Sequence, residues 1–184
     1  LLGCYRFQPC TEWKKDRHAA QPFVESVVET PAMNPPEIRP LENNDLAEAV
    51  RLLGTLNSET PLPVVRARLE TILREHPHYQ IVGAFVDGRL AGVCGAWLAT
   101  KIWCGLYLEI DNLVVDPEAR STGIGTCLIR HLEALGREHG CKVIVLDSYT
   151  ANQASHRLYH RLGFEIWGFH FVRPIGDWSG KDDS

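Results

Sequence analysis

Apolar positions recur at two different spacings along this chain, and the change from one to the other divides it into elements. Leu46, Ala49, Val50, Leu53 and Leu56 fall three and four residues apart, as one face of a helix that Asn43 or Asn44 can cap. A short strand, Ile38-Arg39-Pro40-Leu41, precedes it, and Asn57-Ser58-Glu59-Thr60-Pro61 breaks it. A second helix places Val65, Leu69, Ile72 and Leu73 inward and stops before Pro77. From Tyr79 the texture is that of strands. Residues 79–86 and 89–100 flank Asp87-Gly88, a two-residue hairpin signal, and a third strand over 103–115 ends at Asp116-Pro117.

The second half alternates again. Ile124, Cys127, Leu128, Leu132 and Leu135 form one stripe of a helix over 124–139 that ends at Gly140. Residues 141–146 include the run Val143-Ile144-Val145-Leu146, which reads as a strand covered on both faces. Residues 152–162 are helical, Gly163 stops them, and 164–173 returns as strand. This order predicts an α/β fold: a mixed, mostly antiparallel sheet with one parallel strand pair around the 124–139 helix, flanked by helices on both faces. The domain spans 37–175, with an N-terminal extension at 1–36 outside the fold and a polar tail at 176–184. Tyr5, Phe7, Trp13 and Phe23 leave open the alternative that the extension packs onto the domain.

Composition narrows the functional classes. At 184 residues the chain can bury a real core. A net charge of −4 gives no basic footprint for nucleic acid, and no apolar run reaches the roughly 18 residues of a membrane span. The six cysteines form no C-x-x-C pair and sit mostly in apolar surroundings, which predicts a reducing, cytoplasmic setting. The only methionine is Met33, and charges interrupt any signal-peptide core in residues 1–32.

Chemistry concentrates after the third strand. In Val114-Val115-Asp116-Pro117-Glu118-Ala119-Arg120-Ser121-Thr122-Gly123-Ile124-Gly125-Thr126 a strand ends and two glycines open a helix. Glycines admit a ligand close to the backbone, and a helix N-terminus offers free N–H groups and partial positive charge; both suit a phosphate or pyrophosphate. No Gly-Lys-Ser/Thr follows, so this is not a Walker loop, and Leu128 stands where a dinucleotide fingerprint has its third glycine. Two glycines alone are more often a plain helix entry.

The context decides. Arg120-x-x-Gly123-x-Gly125 resembles the R/Q-x-x-G-x-G/A pyrophosphate motif of the GNAT superfamily of N-acetyltransferases. Asn152-x-x-Ser155-x-x-Leu158-Tyr159-x-x-x-Gly163-Phe164 is similar to that superfamily's second signature, with Ser155 in place of a small apolar residue. The resemblance runs from about 38 to 173. It implies an acetyl-CoA-dependent N-acetyltransferase that acts by direct transfer in a ternary complex, with no metal. It further implies that the strands at 106–115 and 141–147 splay apart and admit the pantetheine arm. A bulge near 113–115 would then turn a backbone N–H of Leu113, Val114 or Val115 toward the thioester carbonyl. The pyrophosphate would lie on Arg120, Ser121, Thr122, Gly123, Ile124, Gly125 and Thr126.

Acetyl transfer needs a base for the amine and a proton for the departing thiolate. Tyr159 occupies the position of the family's general-acid tyrosine; without the motif it would read as a packed ring. Glu109 and Asp111 lie two apart on one strand and face the same side, as base candidates or as a solvated pair. Asp111 is nearer the expected bulge. Asn152 reads equally as a helix cap and as a cofactor contact. Asp147 and Ser148 read as strand-ending turn residues, and Trp97, Trp103 and Tyr107 as core or acceptor-pocket aromatics. His156 and His160 have metal-ligand spacing but no third ligand, and read as surface histidines. An acyl-CoA-binding sensor or interaction module is the alternative function, and it would need none of Glu109, Asp111 and Tyr159. The acceptor, a small-molecule or peptide amine, stays open, as does a homodimer.

Overall fold

The computed structural model describes residues 35–56 and 58–176, and the elements below belong to the unit running from Asn34 to Ser184. Most of the predicted N-terminal extension and of the polar tail lies outside the described residues. Strands β1 (Glu37–Pro40), β2 (Tyr79–Val86), β3 (Arg89–Lys101), β4 (Gly105–Val115) and β5 (Val143–Leu146) form one sheet in that order. The first four are antiparallel neighbours, and β4 pairs with β5 in parallel. The β2–β3 hairpin closes through Asp87 (φ 49°) and Gly88 (φ 76°), the two left-handed residues of a turn whose twist matches the strands.

Alternation along each strand sends side chains into two cores. On one face helices α1 (Leu46–Gly54) and α2 (Leu62–Glu75) press Ala49, Val50, Leu52 and Leu69 against Tyr79, Ile81, Phe85, Val93 and Val114. On the other, α3 (Ile124–Glu138) packs Ile124, Leu128, Ile129 and Leu132 onto Val82, Ala84, Cys94, Leu108 and Ile110. Leu158, Tyr159 and Leu162, on or just after α4 (Gln153–Arg161), pack against that second core. Each fully buried Leu contributes about 1.5–3 kcal/mol, so the fully buried Leu108, Leu128 and Leu132 are a principal adhesive of the layer that carries the glycine turn.

Several expectations need correction. Asn43 and Asn44 do not cap α1: they lie inside a 3-10 turn, Asn43–Asp45, where the Asp45 carboxylate accepts from the Glu42 backbone N–H at 2.8 Å. α1 ends at Gly54, so Leu56 lies beyond it and is exposed. Leu73 is exposed as well, because it sits about 80° round α2 from Val65 at 3.6 residues per turn. β5 is the last strand of the described sheet and only half buried, not covered on both faces.

The largest difference concerns residues 164–173, which form no strand. Their apolar residues mimic the alternation of one, but a strand exists only where a neighbour completes its ladder, and no described strand pairs with them. Ile166, Phe169, Phe171 and Val172 are therefore exposed. The segment is tied back by His170 to Asp147 at 2.8 Å and by the Trp167 ring, 6.3 Å from that of Trp103. Among the described residues no helix is long and apolar enough to cross a membrane.

Candidate active site

The glycine turn is built from β4 outward. After Val115 the chain enters a 3-10 turn, Pro117–Ala119, whose start is fixed by Asp116: its Oδ1 accepts from the Glu118 N–H at 3.0 Å. Arg51 of α1 donates to Asp116 Oδ2 at 2.6 Å, and this guanidinium, together with the Glu118 N–H, holds the carboxyl below its usual range. Thr122 Oγ1 donates to the Ala119 carbonyl at 2.6 Å, and Arg120 Nε to the Val115 carbonyl at 3.4 Å. Ser121 (φ 64°) and Gly123 (φ 92°) take left-handed conformations, which swing the chain into α3.

No side chain caps α3, so its first N–H groups keep no partner of that kind. A Cβ on Gly123 would meet nothing within 4 Å, so space lies open above the turn. Gly125 is different. A Cβ there would stand 3.3 Å from Leu158 Cδ2 and 3.7 Å from Val115 Cγ2, so its smallness also seats α4. Ile124 is buried and Thr126 half buried, so among these residues the exposed ones are Arg120 to Gly123.

Beside the turn the sheet opens. Parallel pairing between β4 and β5 runs from Tyr107–Val143 to Ile110–Leu146 and stops, leaving the edge of β4 from 111 to 115 without a strand on that side. Within this stretch Val93 pairs with Val114 and Gly95 with Asp111, so β4 carries one extra residue: a bulge at Asn112 (φ 53°) and Leu113, at the near end of the expected stretch. After the bulge Val114 packs into the α1–α2 core, and Leu113 and Val115 into the other.

Glu109 and Asp111 face the same side but have different surroundings. Tyr107 donates to Glu109 Oε2 at 2.9 Å, and the Lys101 ammonium sits 4.5 Å from the Tyr107 ring centroid. Asp111 is half buried and accepts from the Tyr79 hydroxyl at 3.2 Å; the Trp97 and Asn112 side chains hydrogen-bond to the same carboxyl. Burial pushes the Asp111 carboxyl above the ordinary range, reinforced by the charge of Glu109 and opposed by those hydrogen bonds. Tyr79 is the residue that the sequence reading missed. Its partner is 32 positions away in the chain, and no local spacing announces it.

Tyr159 is half buried on α4, with its ring edge-on to Phe164 at 6.0 Å. Burial raises its phenol, the nearby Cys94 thiol adds to that, and a hydrogen bond with Ser155 opposes it, so the hydroxyl stays protonated as a donor must. Asn152 caps α4, its Oδ1 accepting from the Ser155 N–H at 3.3 Å. Of the remaining candidates, Tyr107 and Trp97 pack in the sheet beside Glu109 and Tyr79, Asp147 and Ser148 are exposed residues just after β5, and Trp103 is exposed. His156 and His160 stay separate from any ligand set, and His160 Nδ1 contacts the Phe164 carbonyl at 3.2 Å. Among the described residues no three His, Cys, Asp or Glu side chains are grouped to hold a metal.

Known proteins resemble this chain in sequence and in fold. Residues 47–164 match the family model described as the acetyltransferase (GNAT) family. A glucosamine 6-phosphate N-acetyltransferase of Trypanosoma brucei brucei is 31% identical over 138 residues, covering 70% of this chain and 88% of that protein. The crystal structure of a Trypanosoma brucei acetyltransferase superposes with a TM-score of 0.64 at 29% identity, over 76% of this chain and 99% of the other. An aminoglycoside N-acetyltransferase in complex with CoA shares the fold, with a TM-score of 0.69 at 24% identity, over 80% of this chain and all of the other. With the uncapped glycine turn, the opened β4 edge and a family match over most of the domain, the chain belongs to the GNAT family, as an acetyl-CoA-dependent N-acetyltransferase.

Proposed function

We propose that this protein moves an acetyl group from acetyl-CoA to a primary amine by direct attack in a ternary complex. The observation that carries the reading is the end of β4–β5 pairing at Ile110 and Leu146, which leaves an unpaired strand edge beside the uncapped start of α3. An extended pantetheine arm can add to such an edge as a strand does, and a pyrophosphate suits the N–H groups of the turn from Arg120 to Thr126. Backbone N–H groups of Leu113 to Val115, re-aimed by the bulge, are the donors for the thioester oxygen.

A lysine-like amine has a pKa near 10.4, so at pH 7 only about one molecule in 2,500 carries the lone pair needed for attack. Asp111 takes the amine proton, directly or through one water. Its partial burial makes it a stronger base than an exposed carboxylate. The C–N bond forms as the C–S bond breaks, and Tyr159 gives its proton to the leaving thiolate. Glu109, one pleat farther from the bulge, holds the positive charge of the acceptor. Asn152 flanks the cofactor through the cap it provides to α4.

The acceptor is a small-molecule amine in this reading, and the glucosamine 6-phosphate N-acetyltransferases among the relatives put amino sugar phosphates first on the panel to be tried. The test has two parts. Thermal shift with acetyl-CoA, ATP and NAD should show a rise for acetyl-CoA alone, about 2.7 kcal/mol at a hundredfold excess over Kd. Free-thiol release should then follow on adding glucosamine 6-phosphate, an aminoglycoside, a polyamine or a peptide amine. Binding without thiol release from any amine would mean a sensor and contradict the proposal.

A further inference from the structure

Tyr79, Gly95 and Asp111 lie on three successive strands and on one face of the sheet. Tyr79 pairs with Trp97, and Gly95 pairs with Ile81 on one side and Asp111 on the other. The Tyr79 side chain therefore starts on β2 and must cross β3 diagonally to reach Asp111 on β4, with strands about 4.8 Å apart. It crosses at Gly95. A Cβ there would stand 1.8 Å from the Tyr79 Oη, 2.5 Å from its Cζ and 3.2 Å from the Asp111 carbonyl oxygen. No side chain fits at that position while the tyrosine lies where it does. Trp97 fixes the ring from the next pleat, edge-on with centroids 4.6 Å apart.

We propose that Tyr79 is a positioning residue for the base: its hydroxyl, passed through the gap that Gly95 leaves, holds the Asp111 carboxylate in place and in its charged form. The inference rests on the reading of Asp111 as the base. Burial and the negative charge of Asp111 keep the Tyr79 phenol protonated, so it donates at any working pH. The groups that face Asp111 are few. Tyr79 comes from β2, Trp97 from β3, and Glu109 and Asn112 from its own strand; the Cys94 thiol of β3, in the core on the other face, donates to the Asp111 backbone carbonyl at 3.8 Å. Of these, Tyr79 and Trp97 are the side chains from other strands that donate to the carboxylate. Glu109 acts against its charge, and Cys94 is pushed up by burial and stays neutral.

Tyr79→Phe keeps the ring and removes the donor. Loss of a hydrogen bond to the charged form should raise the Asp111 pKa, so the acidic limb of the pH–rate profile moves up by about one pH unit, with acetyl-CoA affinity unchanged. The carboxyl carbon of Asp111, followed by carbon-13 NMR and assigned by its absence in Asp111→Asn, should titrate at correspondingly higher pH in Tyr79→Phe without any substrate. Gly95→Ala should reproduce the shift, with a lower Tm as well. An unchanged NMR titration in Tyr79→Phe overturns the positioning role even if Asp111 proves to be the base. A shifted titration with an acidic limb that survives Asp111→Asn would instead overturn the reading of Asp111 as the base, and the proposal with it.

Discussion

One carboxyl and one hydroxyl are proposed to move protons here, and burial suits each to its part. A carboxylate exposed to water is a weak base, whereas one whose pKa burial raises, with hydrogen bonds to its charged form opposing the rise, takes a proton more readily. Asp111 has that combination of burial and compensating hydrogen bonds. Tyr159 has the complementary one: burial raises its phenol, so it keeps its proton, as the proposed donor to the thiolate must. Tyr159→Phe should leave acetyl-CoA affinity and Tm nearly unchanged and lower kcat by ~10²-fold or more. A turnover number equal to that of the native protein, with chemistry rate-limiting, would make Tyr159 a core residue. Asp111 and Glu109 were legible in the sequence because two acids interrupt an apolar strand. Tyr79 and Gly95 were not, because the pleat that brings them together depends on register across three strands.

At the scale of elements, the turn before α3 and the helix after β5 depend on each other. Gly123 needs its glycine for conformation, since φ 92° costs other residues roughly 1–2 kcal/mol, and for the open space above it. Gly125 needs its glycine for packing against Leu158, the neighbour of Tyr159. The two substitutions should therefore differ. Gly123→Val should abolish acetyl-CoA binding in calorimetry, with the far-ultraviolet circular dichroism kept and Tm slightly lowered. Gly125→Val should lose affinity and also lower Tm clearly, because α4 must move off α3. Micromolar affinity retained in both would remove the turn from the cofactor site. Helix and strand periods and the Asp87-Gly88 hairpin could be read from the sequence, because each is a local pattern, whereas the bulge was implied only by the family resemblance. The supposed last strand could not, because residues 164–173 have the alternation of a strand but no described ladder partner.

For the whole molecule, the sheet acts as a divider. Helices α1 and α2 cover the face that carries Glu109 and Asp111, and α3 and α4 cover the face that carries the turn and Tyr159. Pairing of β4 with β5 ends at Ile110 and Leu146, and on the proposed mechanism the base and the acid would approach the thioester there from opposite faces of the sheet. The resemblance in two short motifs implied the mixed sheet with its splayed parallel pair, but not the division of these residues between its faces. It did not convey which carboxylate is the base, because both lie on the same face of the same strand. A pH–rate series on an accepted amine, run with the native protein, Asp111→Asn and Glu109→Gln, tests that central claim most directly. The account predicts that Asp111→Asn lowers kcat and loses the acidic limb, while Glu109→Gln keeps the limb and mainly raises KM for a cationic acceptor. An acidic limb that persists in Asp111→Asn and vanishes in Glu109→Gln, or persists in both, would contradict it.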